Sequence, residues 1–250
     1  TRGWKLGAVR RRVKLRAGGF DMARFSRSKR GPGRAPPKQK LRTAKGRSIS
    51  SSRWLQRQLD DPYVARARVE GYRSRAAFKL LEMDERFRFL KRGATVVDLG
   101  AAPGGWTQVA VAGGSRVLAV DLAEFEPVAG AEHLTLDFLD AGADDAIRAA
   151  LGRPADVVLS DMAAPATGTR NVDHLRIMAL CEAVAEFAES VLAPEGCFLA
   201  KVLRGGGEAA LVAHLKQCFC SVRHVKPPAS RPDSAEFYLL AMGFRGPQKD

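Results

Sequence analysis

Acidic side chains are nearly missing from the first sixty residues, where two stand against 19 Lys and Arg for a net charge of +17. Residues 61–250 carry 22 basic against 25 acidic groups, or −3, so the chain's total of +14 belongs to one end. The rest is a near-neutral body, and with 46% hydrophobic residues in 250 there is material for a real core. Cysteine is scarce too. The four present, Cys181, Cys197, Cys218 and Cys220, are spaced by 16, 21 and 2 and form no CxxC pair. A disulfide-stapled scaffold is therefore excluded and no metal centre is expected. The longest uncharged stretch, Leu99–Ser115, holds five glycines and a proline and cannot span a membrane. No apolar segment follows the basic N-terminus in the manner of a secretory signal. The expectation is a cytoplasmic protein with reduced thiols and no membrane partner.

Two regions are expected. Residues 1–58 are rich in Arg, Lys, Gly, Pro and Ser and show neither a period of 2 nor one of 3.6. Such a segment cannot bury enough apolar surface to offset its ordering entropy, so it is expected to be disordered alone. Its cations suit an RNA-phosphate anchor, since each phosphate neutralised releases counterions. The first residue is Thr, and Met22 offers an alternative start. Residues 59–250 form the second region.

From Asp61 the texture changes. Asp-Pro-Tyr opens a stretch, Tyr63–Leu90, in which Tyr72, Ala76, Phe78, Leu80, Leu81 and Phe87 recur at helical spacing among charges, predicting two helices. Nine basic residues lie between Arg66 and Arg92. After Gly93, short β-branched runs alternate with Ala/Leu-rich stretches, the runs being 95–99, 116–120, 133–136, 156–160, 197–202, 221–225 and 237–242. Strands alternating with helices read as βαβ units around a largely parallel sheet, an α/β fold. The last two runs have no room for a helix between them and are expected to be an antiparallel hairpin at the end of the sheet.

The run Thr95-Val96-Val97-Asp98-Leu99 leads into Gly100-Ala101-Ala102-Pro103-Gly104-Gly105-Trp106, a buried strand entering a glycine-rich turn and then a helix. In an α/β sheet that is where ligands bind. The turn is no dinucleotide fingerprint, because Ala102 stands where GxGxxG needs glycine and Pro103 removes an amide that a pyrophosphate would use. No Gly-Lys-Ser/Thr follows, so a P-loop is absent too. Asp121 closes the second strand, 21 positions after Gly100, where a carboxylate accepts hydrogen bonds from ribose hydroxyls. Asp137 ends the third, placed for an adenine edge. Each of these could singly be a helix cap. Three acids at successive strand ends point instead to a nucleoside ligand without pyrophosphate, for which S-adenosylmethionine is the commonest candidate.

Four further residues are Lys79 in Ser-Arg-Ala-Ala-Phe-Lys-Leu, Asp161 in Leu-Ser-Asp-Met, Lys201 in Leu-Ala-Lys-Val and Glu236 in Ser-Ala-Glu-Phe. Lys201 sits inside an apolar strand, where a charge is costly unless paired. With the glycine-rich turn, this set resembles the FtsJ/RrmJ family of RNA ribose 2′-O-methyltransferases over residues 61–245. The family's Lys-Asp-Lys-Glu tetrad falls on Lys79, Asp161, Lys201 and Glu236. The resemblance implies a Rossmann-like, S-adenosylmethionine-dependent methyltransferase fold, with a seven-stranded, mostly parallel sheet whose last strand is antiparallel. It carries donor contacts to Gly104, Trp106, Asp121, Asp137 and Asp161. Two places depart from the family: Asp161-Met162-Ala163-Ala164-Pro165 replaces Asp-Met-Ala-Pro-Asn, and Val202-Leu203-Arg204-Gly205 replaces an aromatic-plus-Gln pair.

The resemblance implies transfer of a methyl group to a ribose 2′-hydroxyl. A lysine serves as base only when its pKa falls from about 10.4, through burial or a neighbouring cation. Lys201 is expected to be that base and Lys79 its charged partner, with Asp161 and Glu236 orienting both; orientation of the hydroxyl is the alternative service of the pair. Relatives of this kind act on large-subunit ribosomal RNA in bacteria and organelles or on the tRNA anticodon loop in eukaryotes, and a related branch carries an S4-type domain in front. No S4-like pattern occurs in residues 1–58. The length resembles the bacterial form, which implies a uridine of 23S ribosomal RNA in the assembled large subunit as substrate and a monomeric enzyme. The competing readings are a tRNA methyltransferase, a non-catalytic RNA-binding module on the same fold, and a dinucleotide-dependent oxidoreductase, which the absent middle glycine and absent Tyr-x-x-x-Lys pair disfavour.

Overall fold

A computed structural model describes residues 56, 58–164, 167–205 and 207–246. The expected tail, residues 1–58, falls outside them apart from Gln56 and Gln58, as does the question of a start at Met22. Asp61 starts the first helix, α1 (Pro62–Glu70): its side chain accepts the Tyr63 amide at 3.0 Å, proline follows at the first helical position, and Gly71 ends the helix at φ +79°. A second helix, α2 (Ala76–Phe87), follows. These are the two helices expected over Tyr63–Leu90.

The remaining elements are β1 (Thr95–Leu99), α3 (Gly105–Ala112), β2 (Arg116–Asp121), β3 (Ala131–Thr135), α4 (Ala143–Leu151), β4 (Ala155–Ser160), α5 (Arg170–Val191), β5 (Leu192–Leu203), α6 (Glu208–Cys218), β6 (Phe219–Val225) and β7 (Glu236–Phe244). They build a seven-stranded sheet in the order β3-β2-β1-β4-β5-β7-β6. Pairs among the first five strands are parallel, while β7 runs antiparallel to both β5 and β6. The expected hairpin is thus present, and β7 inserts between β5 and the edge strand β6. Two boundaries differ from the sequence reading. Strand β3 covers 131–135 instead of 133–136, so Asp137 lies two residues beyond its end. Strand β5 begins at Leu192, five residues before Cys197, and passes a register shift opposite Ala155 and Val157.

Side chains alternate between two packed layers, as the period of a strand requires. On β1, Val96 faces α2 and α3, meeting Ala77, Leu80, Met83, Val109 and Ala110. Its neighbours Val97 and Leu99 face the other way, into a cluster with Ile147 of α4, Val184 and Phe187 of α5, and Leu211 and Leu215 of α6. Each large apolar side chain so buried contributes roughly 1.5–3 kcal/mol. A small third cluster, Phe78 with Ala67 and Ala229, fastens α1 against α2. Strand order reverses between β1 and β4, and a crevice at the C-terminal ends of those strands is the usual ligand position of such sheets. Among the described residues no helix is long and apolar enough to cross a membrane.

Candidate active site

The crevice begins at the end of β1. Gly100 has φ +75°, and a Cβ there would stand 2.5 Å from Met162 Cγ and 3.0 Å from the Met162 backbone. Any larger residue would drive the turn and the segment after β4 apart. Asp98, two residues earlier, is fully buried. Its Oδ2 accepts from Thr107 Oγ1 at 2.6 Å, whereas Oδ1 has no protein partner. Burial pushes the Asp98 carboxyl up to about 7; the Thr107 hydrogen bond opposes this, and the negative charges of Asp161 and Asp121 add to it. Three carboxylates therefore share this end of the sheet.

Asp121 closes β2 and receives the Ala102 amide on Oδ2 and the Ala123 amide on Oδ1, both at 2.8 Å. It thereby ties the glycine-rich turn to the second strand. Asp137 accepts the Leu139 amide at 3.0 Å. Gly104 is buried at φ +105°, with Val128 and Arg73 where a Cβ would go. Arg73 carries no signal in the sequence beyond its charge. Its guanidinium donates to the carbonyls of Pro103 (3.1 Å), Pro127 (2.9 Å) and Glu126, so it clamps the turn after β1 to the loop after β2. Trp106 is buried, and its indole N–H is committed to the Ala76 carbonyl at 2.8 Å. A ligand can meet Trp106 only through its backbone, and its ring instead packs 5.6 Å from that of Tyr238.

Beside this crevice the four tetrad residues come together. The Asp161 amide donates to the Leu99 carbonyl at 3.3 Å, which seats the residue just past β4. Lys201, buried within β5, donates from Nζ to the Asp161 carbonyl at 2.6 Å and lies 3.1 Å from Asp161 Oδ1. Lys79 arrives from α2, also buried, with Nζ 3.5 Å from Glu236 Oε2 and 3.9 Å from Asp161 Oδ1. A fifth member links them. Tyr238 lies opposite Lys201 in the β5–β7 register, accepts from Lys79 Nζ at 3.0 Å, and donates to Asp161 Oδ1 at 2.8 Å. Its burial, together with Asp161 and Glu236, raises the phenol well above its ordinary value, so it remains a hydroxyl donor. In strand β7, Glu236 and Tyr238 are two apart and share a face, which is the signal that sequence reading could have used.

Two lysines and two carboxylates balance in charge, and one oxygen, Asp161 Oδ1, is common to both cations and to Tyr238. On the other side of Asp161, the buried Asp98, one of whose oxygens has no protein donor, adds negative charge at the end of β1, which favours a ligand that carries positive charge. Away from this edge, Glu189, His214 and Cys218 bring ligand-type atoms within 4.8 Å of one another. A hydrogen bond of 2.6 Å between His214 and Glu189 accounts for that contact without an ion.

Known proteins bear on this geometry. A relative named Ribosomal RNA large subunit methyltransferase E from Parvibaculum lavamentivorans is 61% identical over 222 residues, covering 84% of this chain and 87% of its own. One of the same name from Ruegeria pomeroyi is 59% identical, covering 86% and 97%. A solved structure named as a ribosomal RNA methyltransferase from Plasmodium falciparum superposes with a TM-score of 0.63 at 27% identity, over 70% of this chain and all of that one. Residues 72–244 match the family described as FtsJ-like methyltransferase, and with the crevice and the lysine–carboxylate cluster both inside that span, this chain belongs to the FtsJ-like methyltransferase family.

Proposed function

We propose that this chain moves a methyl group from S-adenosylmethionine to the 2′-hydroxyl of a uridine in large-subunit ribosomal RNA. The observation that carries the reading is the pair of buried lysines on one carboxylate oxygen. That arrangement serves an acceptor that is a weakly acidic hydroxyl, held by donors and relieved of a proton. The names of the relatives supply the RNA class.

When bound, S-adenosylmethionine supplies a methyl group already activated on a sulfonium, so the chain's own residues have to orient the acceptor and take its proton. Asp121 offers its carboxylate to ribose hydroxyls, Asp137 its own to the adenine edge, and Gly104 and Trp106 their backbone. Asp98 and Asp161 provide negative charge on the donor's side. Lys201 uses two of its hydrogens on the Asp161 carbonyl and carboxylate. In the neutral amine that leaves one lone pair for the acceptor proton, and the two hydrogen bonds fix where the pair points. Lys201 Nζ would accept the proton that the ribose 2′-hydroxyl gives up on methylation, the donor leaving as a neutral thioether. Lys79 stays the cationic neighbour, held by Tyr238, Glu236 and Asp161.

In this reading the enzyme is cytoplasmic and monomeric, acts on the assembled large subunit, and uses residues 1–58 as a phosphate-binding tail in front of a catalytic region, 59–250. The test is incubation of the full chain with methyl-labelled S-adenosylmethionine and large-subunit ribosomal RNA, free or in subunits, followed by nuclease digestion. Label recovered as 2′-O-methyluridine supports the reading. Label on a base, label in transfer RNA alone, or no label overturns it.

A further inference from the structure

Lys79 and Glu236 open onto a groove of about 360 Å³ whose walls include Gln58, Arg75, Arg231 and Ser234. The two arginines come from distant parts of the chain, and one buried side chain holds both. Asp61, 8% exposed, has Oδ2 at 3.1 Å from Arg75 Nε and 3.4 Å from Arg231 Nη2. Its other oxygen is the cap of α1. Capping needs only a side-chain oxygen, and Asn caps as well as Asp. The charge of Asp61, costly at this burial unless paired, therefore has a separate task. It pins two guanidiniums beside the active-site lysine.

The geometry of RNA says what they meet. On an internal ribose the 2′-hydroxyl and the 3′-phosphodiester sit on adjacent carbons, so delivering the hydroxyl to Lys201 and Lys79 delivers a negative charge next to it. Arg75 precedes Lys79 by four residues, one helical turn away along the same face. Arg75 faces Asp61 with Nε and donates from Nη2 to the Ala229 carbonyl, which leaves Nη1 for a phosphate oxygen, and Arg231, touching Asp61 through Nη2, supplies the second cationic donor. We propose that the groove between Arg75 and Arg231 holds the phosphodiester 3′ to the acceptor ribose, and that Asp61 is the positioning residue for both arginines. The proposal rests on the reading of the chain as a ribose methyltransferase. Asp233, at the exposed rim of the same groove, repels the phosphate and turns it toward the arginines.

The test compares wild type, Asp61→Asn, Arg231→Gln and the double variant in the full chain, with large-subunit ribosomal RNA and labelled S-adenosylmethionine. Asparagine retains the cap while the charge is gone; because Arg75 then loses a buried partner, the thermal midpoint of Asp61→Asn is measured alongside, and Arg231→Gln, at a more exposed side chain, carries the kinetic comparison where that midpoint falls. Each single variant should raise KM for RNA by about tenfold and leave kcat and donor affinity unchanged. Each should also flatten log KM against log salt by roughly 0.7–0.9, one phosphate contact. The double variant should fall well short of the product of the singles, because Asp61 acts through the arginines. A short acceptor RNA with a neutral methylphosphonate on that 3′ linkage should cost the wild type the same factor and Arg231→Gln no more. Unchanged KM and salt slope in both single variants, or a full further loss on the methylphosphonate in Arg231→Gln, overturns the subsite. Absence of any methyl transfer by the wild type overturns the ribose-methyltransferase reading itself, and the subsite with it.

Discussion

Lys201 and Tyr238 face each other across the antiparallel β5–β7 pair and converge on a single oxygen, Asp161 Oδ1, at 3.1 and 2.8 Å. The reversed strand makes this possible. In the register of β7, Glu236, opposite Leu203, and Tyr238, opposite Lys201, share the face toward which α2 directs Lys79. The antiparallel insertion thus brings an acid and a phenol to a place where the parallel strands supply a lysine and an acid.

Lys201→Ala should abolish methyl transfer and leave donor affinity within about twofold, because in the proposed reaction its free valence serves the acceptor, while Asp161 keeps Tyr238 and Lys79 as partners. Single-turnover methylation together with calorimetry of donor binding checks this. Activity within tenfold of wild type would remove Lys201 from the chemistry.

Tyr238→Phe keeps the ring against Trp106 and deletes only the hydroxyl that accepts from Lys79 and donates to Asp161. With both charged partners left short of a buried contact, unfolding free energy should fall by about 1–3 kcal/mol. The methyl-transfer rate should fall with RNA KM little changed, since the phenol holds Lys79 and Asp161 in place and does not touch the RNA in the proposed reaction. Denaturant melts and a kcat-against-KM comparison read the two effects separately, and equal stability with equal kcat would show the hydroxyl to be idle.

Asp98 gives a pH dependence whose sign follows from the direction of its shift. A carboxyl raised by burial from its ordinary value of 3.8 to about 7 favours the protonated folded state. The stability it contributes is full below pH 3.8, is lost as pH rises toward 7, and is absent above. Asp98→Asn should remove this slope, making the ligand-free protein more stable than wild type by several kcal/mol at pH 8 but not at pH 4. A cationic donor should in turn draw the proton off, so wild-type donor binding near pH 6.5 should release protons and the variant's should not. Calorimetry in buffers of different ionisation enthalpy decides it.

Legibility in the sequence tracked how unusual each residue was for its local surroundings. Lys201 stood out because a lysine in Leu-Ala-Lys-Val is anomalous, and the acids stood out because they punctuate strand ends. Tyr238 did not: an aromatic in a strand reads as core, and only the β5–β7 register reveals that its hydroxyl bridges Lys79 and Asp161. Arg73 and Arg75 were hidden among nine basic residues, where a cation reads as surface, although Arg73 spends its donors on three carbonyls. The early part of β5 was unreadable because Ala193-Pro194-Glu195-Gly196 has turn composition and Glu195 adopts φ +64° within the strand. Asp61 looked like a helix cap, which it is, and nothing local indicated that its second oxygen reaches Arg231, 170 positions away.

The last prediction concerns residues 1–58, whose charge is known from sequence. If they track phosphates along the RNA, their deletion should weaken RNA binding and flatten its salt dependence by several phosphate contacts, each contributing roughly 0.7–0.9 to the slope. Donor affinity should not move, because Asp98, Asp121 and the glycine-rich turn all lie beyond the deletion. Chemistry at saturating RNA should also survive, since Lys79, Asp161, Lys201, Glu236 and Tyr238 remain and α1 keeps its cap at Asp61. With Gln58 retained, because it walls the same groove as Arg231, a deletion of residues 1–57 and Arg231→Gln should be additive in free energy, one removing diffuse contacts and the other a contact at the reacting nucleotide. Filter binding across a salt series, with calorimetric donor titration as control, separates the two. A truncated protein with wild-type RNA affinity and slope would leave the basic face of Arg66–Arg92 as the surface that holds the RNA.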